Sequence, residues 1–380
     1  MLILDEGEIM MVERFEINPD VLKFYIIQSR IPLEVIRTKE KNIDLYLSGE
    51  KKPTFNQLSS IAKILNTPTG LLLLEETIDN QITDLDFRTV DSDHLDGFSS
   101  ELTDTINEMK VKQDFLREEV ENELPFVGKF TIDANYMKVA DSIRETINIS
   151  SNYFENIQEA HFSYLRKKVN EAGVFIFLNG KVKDNTHRPL DLKEFRGFVL
   201  SDKKAPIIFI NQTDSRNGQT FTLMHELVHL FLNENEIFNV IEIKEYSSDP
   251  IEFFVNKVTA ELLVPEKYIL NETSSKIDEL SKRHGVSKFV IARRFYDLRV
   301  ITKEKYNSLI LELNKELEDI PKRRTSSGGN YNNNLNFRMD KPFVNYIENA
   351  INSNRISYTD AFDILGVGYK GFKTLMGGNS

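Results

Sequence analysis

The stretch His225-Glu226-Leu227-Val228-His229 combines two strong metal-binding side chains with a carboxylate placed to move protons. On a helix, positions four apart lie about one turn apart on one face. His225 and His229 can therefore offer ring nitrogens to a single ion. Glu226 is rotated by about 100° from His225, too far to share the ion's inner shell comfortably. It is well placed to take a proton from a water in the ion's open position, which makes it the candidate general base. The neighbours Leu223, Met224, Leu227, Val228, Leu230, Phe231 and Leu232 are apolar on nearly every side, which predicts a buried helix. Two histidines and an acid buried without partners would cost several kcal/mol, and a bound cation is the simplest way to satisfy all three.

A catalytic zinc site takes a third protein ligand and leaves a fourth position open. The downstream carboxylates are Glu234, Glu236, Glu242, Glu245, Asp249 and Glu252. Asp249-Pro250 reads as a helix start, with Asp as cap and Pro in the first turn, and the apolar run from Ile251 to Val264 stops at Pro265. Glu252 then falls in the first turn of a second apolar helix and is, by chemistry, the best of the six. Asn256, one turn on along the same face, could orient that carboxylate or a bound peptide. Glu261 reads as part of a solvated face.

The elements that must position this pair of helices precede them. Val174–Leu178, Gly197–Leu200 and Pro206–Asn211 are rich in β-branched and aromatic residues and bounded by turn signals, which predicts three strands. Strands followed by two helices give an α+β fold, a minimal zincin-like core of a small sheet plus the His-Glu-x-x-His helix, flanked by helical modules. In such a core an edge strand can pair with an extended peptide.

Phe221-Thr-Leu-Met-His225-Glu226-Leu-Val-His229-Leu230, followed by Glu252-Phe-Phe-Val-Asn256 and Ala260-Glu-Leu-Leu-Val-Pro265, resembles the ImmA/IrrE family of metallo-endopeptidases. The resemblance implies Zn2+, with Mn2+ as the alternative ion, bound by His225, His229 and Glu252, and Glu226 as catalytic base. Val255 stands where the family usually has Ala, and Val258 where it usually has Phe, both on the packing side. Asn185-Thr-His187-Arg188-Pro-Leu190 with Glu194-Phe-Arg-Gly-Phe198 is similar to segments of long members, so His187 and Arg188 join Asn256 as candidates for contact with substrate. The resemblance further implies a regulatory endoprotease whose protein substrate is a helix-turn-helix repressor or an antitoxin encoded nearby, cleaved to control transcription. The rival reading is a non-proteolytic antitoxin or transcriptional regulator that binds a toxin or DNA and keeps a vestigial or structural metal site. The intact Glu226 favours catalysis, and the length of chain given to other modules favours the rival.

The 380 residues are enough for two or three domains. With no cysteine, disulfides, iron–sulfur ligation and thiol nucleophiles are excluded. The acidic start, Met1 to Glu8, lacks the pattern of a signal peptide, and no stretch approaches a membrane span, so the expectation is a soluble cytoplasmic protein. A formal net charge of -11 argues against a surface that coats nucleic acid and leaves local basic patches as the route to DNA.

Residues 1–75 read as a small helical domain. Tyr46-Leu-Ser-Gly-Glu-Lys-Lys-Pro-Thr54 with Gln57-Leu58 and Ile61-Ala62 resembles the end of a Cro/repressor-like helix-turn-helix domain, serving either DNA or protein contacts. Residues 76–160 read as a helical connector, with Asp86-Phe-Arg-Thr89, an idle His94 and the charge pairs Glu108/Lys112 and Arg117/Glu121. Residues 161–270 hold the peptidase core, with His161 structural. Residues 271–321 read as a helical cap of helix-turn-helix silhouette, whose second helix carries Lys288, Arg293, Arg294 and Arg299. Residues 322–341 read as a flexible polar linker. Residues 342–380 form a small helical module that must dock on the body or on a partner.

Overall fold

The computed structural model describes residues 14–29, 31, 33–65, 67, 69–74, 98–232, 237–238, 249–319 and 330–377. Several expectations lie outside these: the chain start, Asp86-Phe-Arg-Thr89, His94, residues 322–329 of the linker, and the carboxylates Glu234, Glu236, Glu242 and Glu245. The chain divides into two units, residues 1–100 and 101–380.

In the first unit the helical spacing of apolar residues gives α1 (Pro19–Ser29), α2 (Leu33–Lys39), α3 (Ile43–Leu47) and α4 (Phe55–Leu65), closed by a 3-10 turn at Thr69–Leu73. Val21, Leu22, Tyr25, Ile36, Ile43, Tyr46, Leu58 and Ile61 form its core. The pair that a helix-turn-helix reader would use, α2 and α3, is only 7 and 5 residues long. Arg37 on α2 is ion-paired with both Glu34 and Asp44.

The second unit runs α5 (Ser100–Glu119), α6 (Tyr136–Thr146), α7 (His161–Glu171), β1 (Phe175–Asn179), β2 (Gly197–Leu200), β3 (Ile207–Asn211), α8 (Arg216–Leu232), β4 (Ile237–Phe238), α9 (Pro250–Leu263), α10 (Ile277–His284), α11 (Lys288–Asp297), α12 (Lys303–Asp319), α13 (Tyr331–Arg338), α14 (Lys341–Asn352), α15 (Tyr358–Leu365) and α16 (Tyr369–Met376). The sheet order is β1-β3-β2-β4. β1 runs parallel to β3, and β2 lies antiparallel to β3 and β4.

Every residue of β2 and β3 is buried, because both faces of the sheet are covered. On one face Ile176, Leu178, Val199, Ile208 and Ile210 share a core with Leu223, Met224 and Leu227 of α8. That core continues through Val255 and Leu262 of α9 to Leu280, Ile291, Phe295 and Leu313. The helices over 271–319 are therefore built into the core of α8 and α9. On the other face Phe177 meets Phe343 at 5.1 Å between ring centroids, and Phe115 of α5 meets Phe343 at 6.2 Å.

The C-terminal helices complete this second layer, and buried polar groups fix them. Asp340 is wholly buried and accepts hydrogen bonds from Ile176 N, Phe343 N and Asn170 Nδ2. The Lys112 ammonium donates to the carbonyls of Ile364 and Leu365 at the end of α15, where a cation complements the helix dipole.

Several expectations change here. The polar stretch read as linker contains α13, which Asn330 caps and which buries Leu335 and Arg338. The asparagines suggested a solvated tether, but Leu335 and an Arg338–Asp184 ion pair anchor the turn. Lys112 does pair with Glu108, yet in the interior, with 1% of its side chain exposed. Arg117 pairs with Asp114 and Asp202, since α5 ends at Glu119 before reaching Glu121. Glu261 is buried between Arg294 and Arg144 and is no solvated face. The basic face of α11 is likewise neutralised: Arg294 faces inward to Glu261, Lys288 pairs with Asp278 and Glu316, and Arg293 with Asp297.

Candidate metal centre

Ser215 starts α8 by accepting the Gly218 N–H on its hydroxyl. From Gln219 to Leu232 every residue of α8 except Phe221 is buried. His225, Glu226 and His229 are each 0% exposed. Opposite them, Asp249 caps α9 through Ile251 N with Pro250 in the first turn, which sets Glu252 one residue inside the helix, as the sequence pattern predicts.

The two helices bring three side chains together. His225 Nε2 and His229 Nε2 are 3.1 Å apart. One Glu252 oxygen lies 3.4 Å from His225 Nε2, and the other 3.2 Å from His229 Nε2. Among the described residues, these three are the group whose potential ligand atoms all fall within 4.8 Å of one another. Ligands of a tetrahedral ion at about 2.0–2.1 Å stand about 3.3–3.4 Å apart, so the spacing suits zinc closely. Imidazole, imidazole and carboxylate is also a donor set of catalytic zinc enzymes.

The electrostatics point the same way. Burial pushes the His229 imidazole down, and hydrogen bonding to Glu252 only partly offsets this, so the ring is held neutral, as a metal ligand must be. Burial pushes the Glu252 carboxyl up, but hydrogen bonds and charge from His225 and His229 reverse this and hold it far below the usual range. Two ring nitrogens and a carboxylate converging at these distances form a ready donor set, in which a divalent ion would take the place of the proton that otherwise joins them. The residues present therefore fit a divalent ion.

Glu226 points from the same helix toward β2. A Cβ on Gly197 would lie 2.5 Å from the Thr222 methyl, 2.8 Å from Phe209 O and 3.5 Å from Glu226 Oε1. Glycine at this strand start is what lets β2 approach α8 at the level of the acid, a role the sequence reading missed. Its one signal was a glycine opening an otherwise aromatic and β-branched strand.

Asn256 follows Glu252 by one turn and is half-buried, and no hydrogen bond joins it to that carboxylate among the described residues. His187 is exposed. The Arg188 guanidinium is tied to α5 through Glu101 and Asp104, a structural task that the local sequence did not reveal. His161 accepts a structural role, its Nε2 3.0 Å from Arg283 O.

Residues 147–296 match the family model of the IrrE N-terminal-like domain, Peptidase_M78. The match runs from the end of α6 through the sheet, α8 and α9 into α11, so it encloses the whole cluster. A comparison with curated proteins returned no match. The match of this stretch to a metallopeptidase-type domain agrees with the resemblance to the ImmA/IrrE family seen in the sequence. Such a domain implies a divalent metal and a protein substrate. Among the described residues no helix is long and apolar enough to cross a membrane.

Proposed function

From an IrrE N-terminal-like peptidase domain as premise, we propose that this protein is a zinc-dependent endopeptidase that cleaves a regulatory protein, a helix-turn-helix repressor or an antitoxin encoded nearby, and so controls transcription. The observation that carries the reading is the convergence of His225, His229 and Glu252 at 3.1–3.4 Å, with Glu226 buried on the same turn of α8. Zinc, when bound, supplies Lewis acidity that activates water and polarises the scissile carbonyl. His225, His229 and Glu252 would hold it. Glu226 takes the proton of the attacking water and returns it to the amine nitrogen as the C–N bond breaks, leaving a carboxylic acid and an amine. α9 keeps Glu252 oriented through its capped first turn, and Gly197 lets β2 pass close to Thr222 and Glu226 of α8.

In this reading the first unit serves recognition of the protein partner, while α10 and α11, built into the core, cap the peptidase. Ion pairing of Arg37 within the first unit favours protein over DNA as what that unit meets. One observation favours the rival, a non-proteolytic regulator: Glu226 is 0% exposed, so its carboxylate is closed off from bulk water. The test is incubation of the zinc-loaded protein with the product of the adjacent gene, wild type against Glu226→Gln. Peptidase action predicts specific cleavage by wild type and loss of at least about a hundredfold in the variant. Tight binding without cleavage by either protein would move the assignment to the regulator.

A further inference from the structure

The α10–α11 and α15–α16 pairs each turn on a glycine with positive φ, but their basic faces differ. In the first pair Gly285 closes α10 with φ 65°, and the cations of α11 are used within the fold. Arg294 is buried against Glu261, Lys288 pairs with Asp278 and Glu316, and Arg293 with Asp297. In the second pair α15 ends at Leu365, Gly366 takes φ 69°, and α16 begins at Tyr369 after Val367 and Gly368. Any side chain at Gly366 would be strained by that φ and would also crowd Glu108. Ala361, Leu365, Val367, Phe372 and Leu375 are buried, so both helices and their turn pack as one unit. Tyr358 and Phe362 of α15 meet Phe372 of α16 at 5.8 and 4.9 Å between ring centroids. Two helices joined through such a short glycine turn form a helix-turn-helix.

The outward face of α16 is basic and unneutralised. Tyr369, Lys370 and Lys373 fall within about 100° of one another round the helix, and all three are exposed. α16 carries no acid, and among the described residues neither lysine forms an ion pair. Arg338 and Arg355 of the same module, by contrast, are paired with Asp184 and Glu119. The acids of α15, Asp360 and Asp363, stand about 100° or more round from Phe362, which touches α16. At the border of the face the exposed Asn332 of α13 accepts from the Thr374 hydroxyl at 3.2 Å. Free ammonium groups beside a tyrosine and an amide, on the second helix of a helix-turn-helix, suit phosphates and base edges. In a chain of net charge -11 only a local patch of this kind offers DNA an approach. We propose that α15 and α16 bind duplex DNA, with α16 in the major groove, Lys370 and Lys373 on phosphates or guanine edges and Tyr369 against a base. The inference goes beyond the peptidase reading and does not depend on it.

The experiment selects duplexes from a pool of random-centred DNA with the zinc-loaded full chain, then measures Kd for the enriched duplex by fluorescence anisotropy as salt is varied. Wild type is expected to enrich one sequence and to bind it at least about tenfold tighter than a scrambled duplex or a single-stranded RNA of the same length. The double variant Lys370→Ala, Lys373→Ala, at exposed positions and checked for folding by circular dichroism, should bind at least about tenfold more weakly. Its salt slope should be shallower by about two. The double variant Lys39→Ala, Lys41→Ala makes the same change at exposed positions of the first unit and should leave both quantities unchanged. Zinc content is expected to be equal in all three proteins, which separates DNA binding from the metal centre. No enriched duplex, equal binding of the RNA, or an effect of the first-unit variant as large as that of the α16 variant overturns the inference. Each of these results leaves the peptidase reading standing, and loss of the peptidase reading leaves this one standing.

Discussion

Helix α9 carries two glutamates that the interior treats in opposite ways. Glu252 and Glu261 are nine residues apart, two and a half turns, so they leave the helix on opposite sides. Glu261 is enclosed by cations of the chain itself: Arg294 pairs with it, Arg144 lies 3.7 Å away, and Glu266 N donates to it at 3.2 Å. Glu252 meets the His225 and His229 rings instead, groups that can ligate an ion, so a bound cation would supply its lasting countercharge. A buried carboxylate with its countercharge built in braces the fold. One whose neighbours are potential metal ligands marks a binding site.

The histidines repeat the contrast. His284 is as buried as His225 and His229, but its Nδ1 donates to Leu263 O at 3.0 Å and its ring packs on Phe154. It braces the same end of α9 as Glu261.

The contrast can be broken at either end. The largest expected effect is on Glu261→Ala, which leaves Arg144 and Arg294 buried and unpaired. Urea denaturation should show a loss of about 3–5 kcal/mol, while the zinc bound per folded chain stays unchanged. His284 gives the next effect. Burial pushes its imidazole down to about 4, below the ordinary value of 6.5. Above pH 6.5 both folded and unfolded chains keep it neutral; as pH falls toward 4 only the unfolded chain takes up the proton. Its contribution to stability is therefore lost on acidification, by about 3 kcal/mol at pH 4. His284→Gln should flatten that slope in a denaturation series across the same range.

At the ligand end, zinc at about a hundredfold excess over its Kd should stabilise the wild type by about 2.7 kcal/mol in the same assay, and should not stabilise Glu252→Ala. The smallest effect is geometric. Gly197→Ala should push α8 off β2 and lower cleavage by about tenfold without loss of zinc, read as a fall in kcat.

What the sequence made legible follows the range of the physics involved. The His-Glu-x-x-His pattern, the capped start of α9 and the three main strands are local, and they lie within a residue or so of the predicted places. Glu261 was misread because its partners Arg144 and Arg294 are far along the chain and its own neighbours carry no sign of them. Arg188 and Lys112 belong to the same class, cations fixed by groups that only folding brings near. Residues 331–338 looked like tether since asparagine favours loops, yet a few anchored side chains sufficed for a helix. The two-residue β4 is too short to leave a periodic signal.

The most direct test is zinc content by elemental analysis, after loading with zinc and dialysis against metal-free buffer, of wild type, Glu226→Gln and Glu252→Ala. One zinc per chain is expected in the wild type and in Glu226→Gln, with less than about a tenth of that in Glu252→Ala. Full retention by Glu252→Ala, or none in the wild type, would contradict a metal centre built from His225, His229 and Glu252.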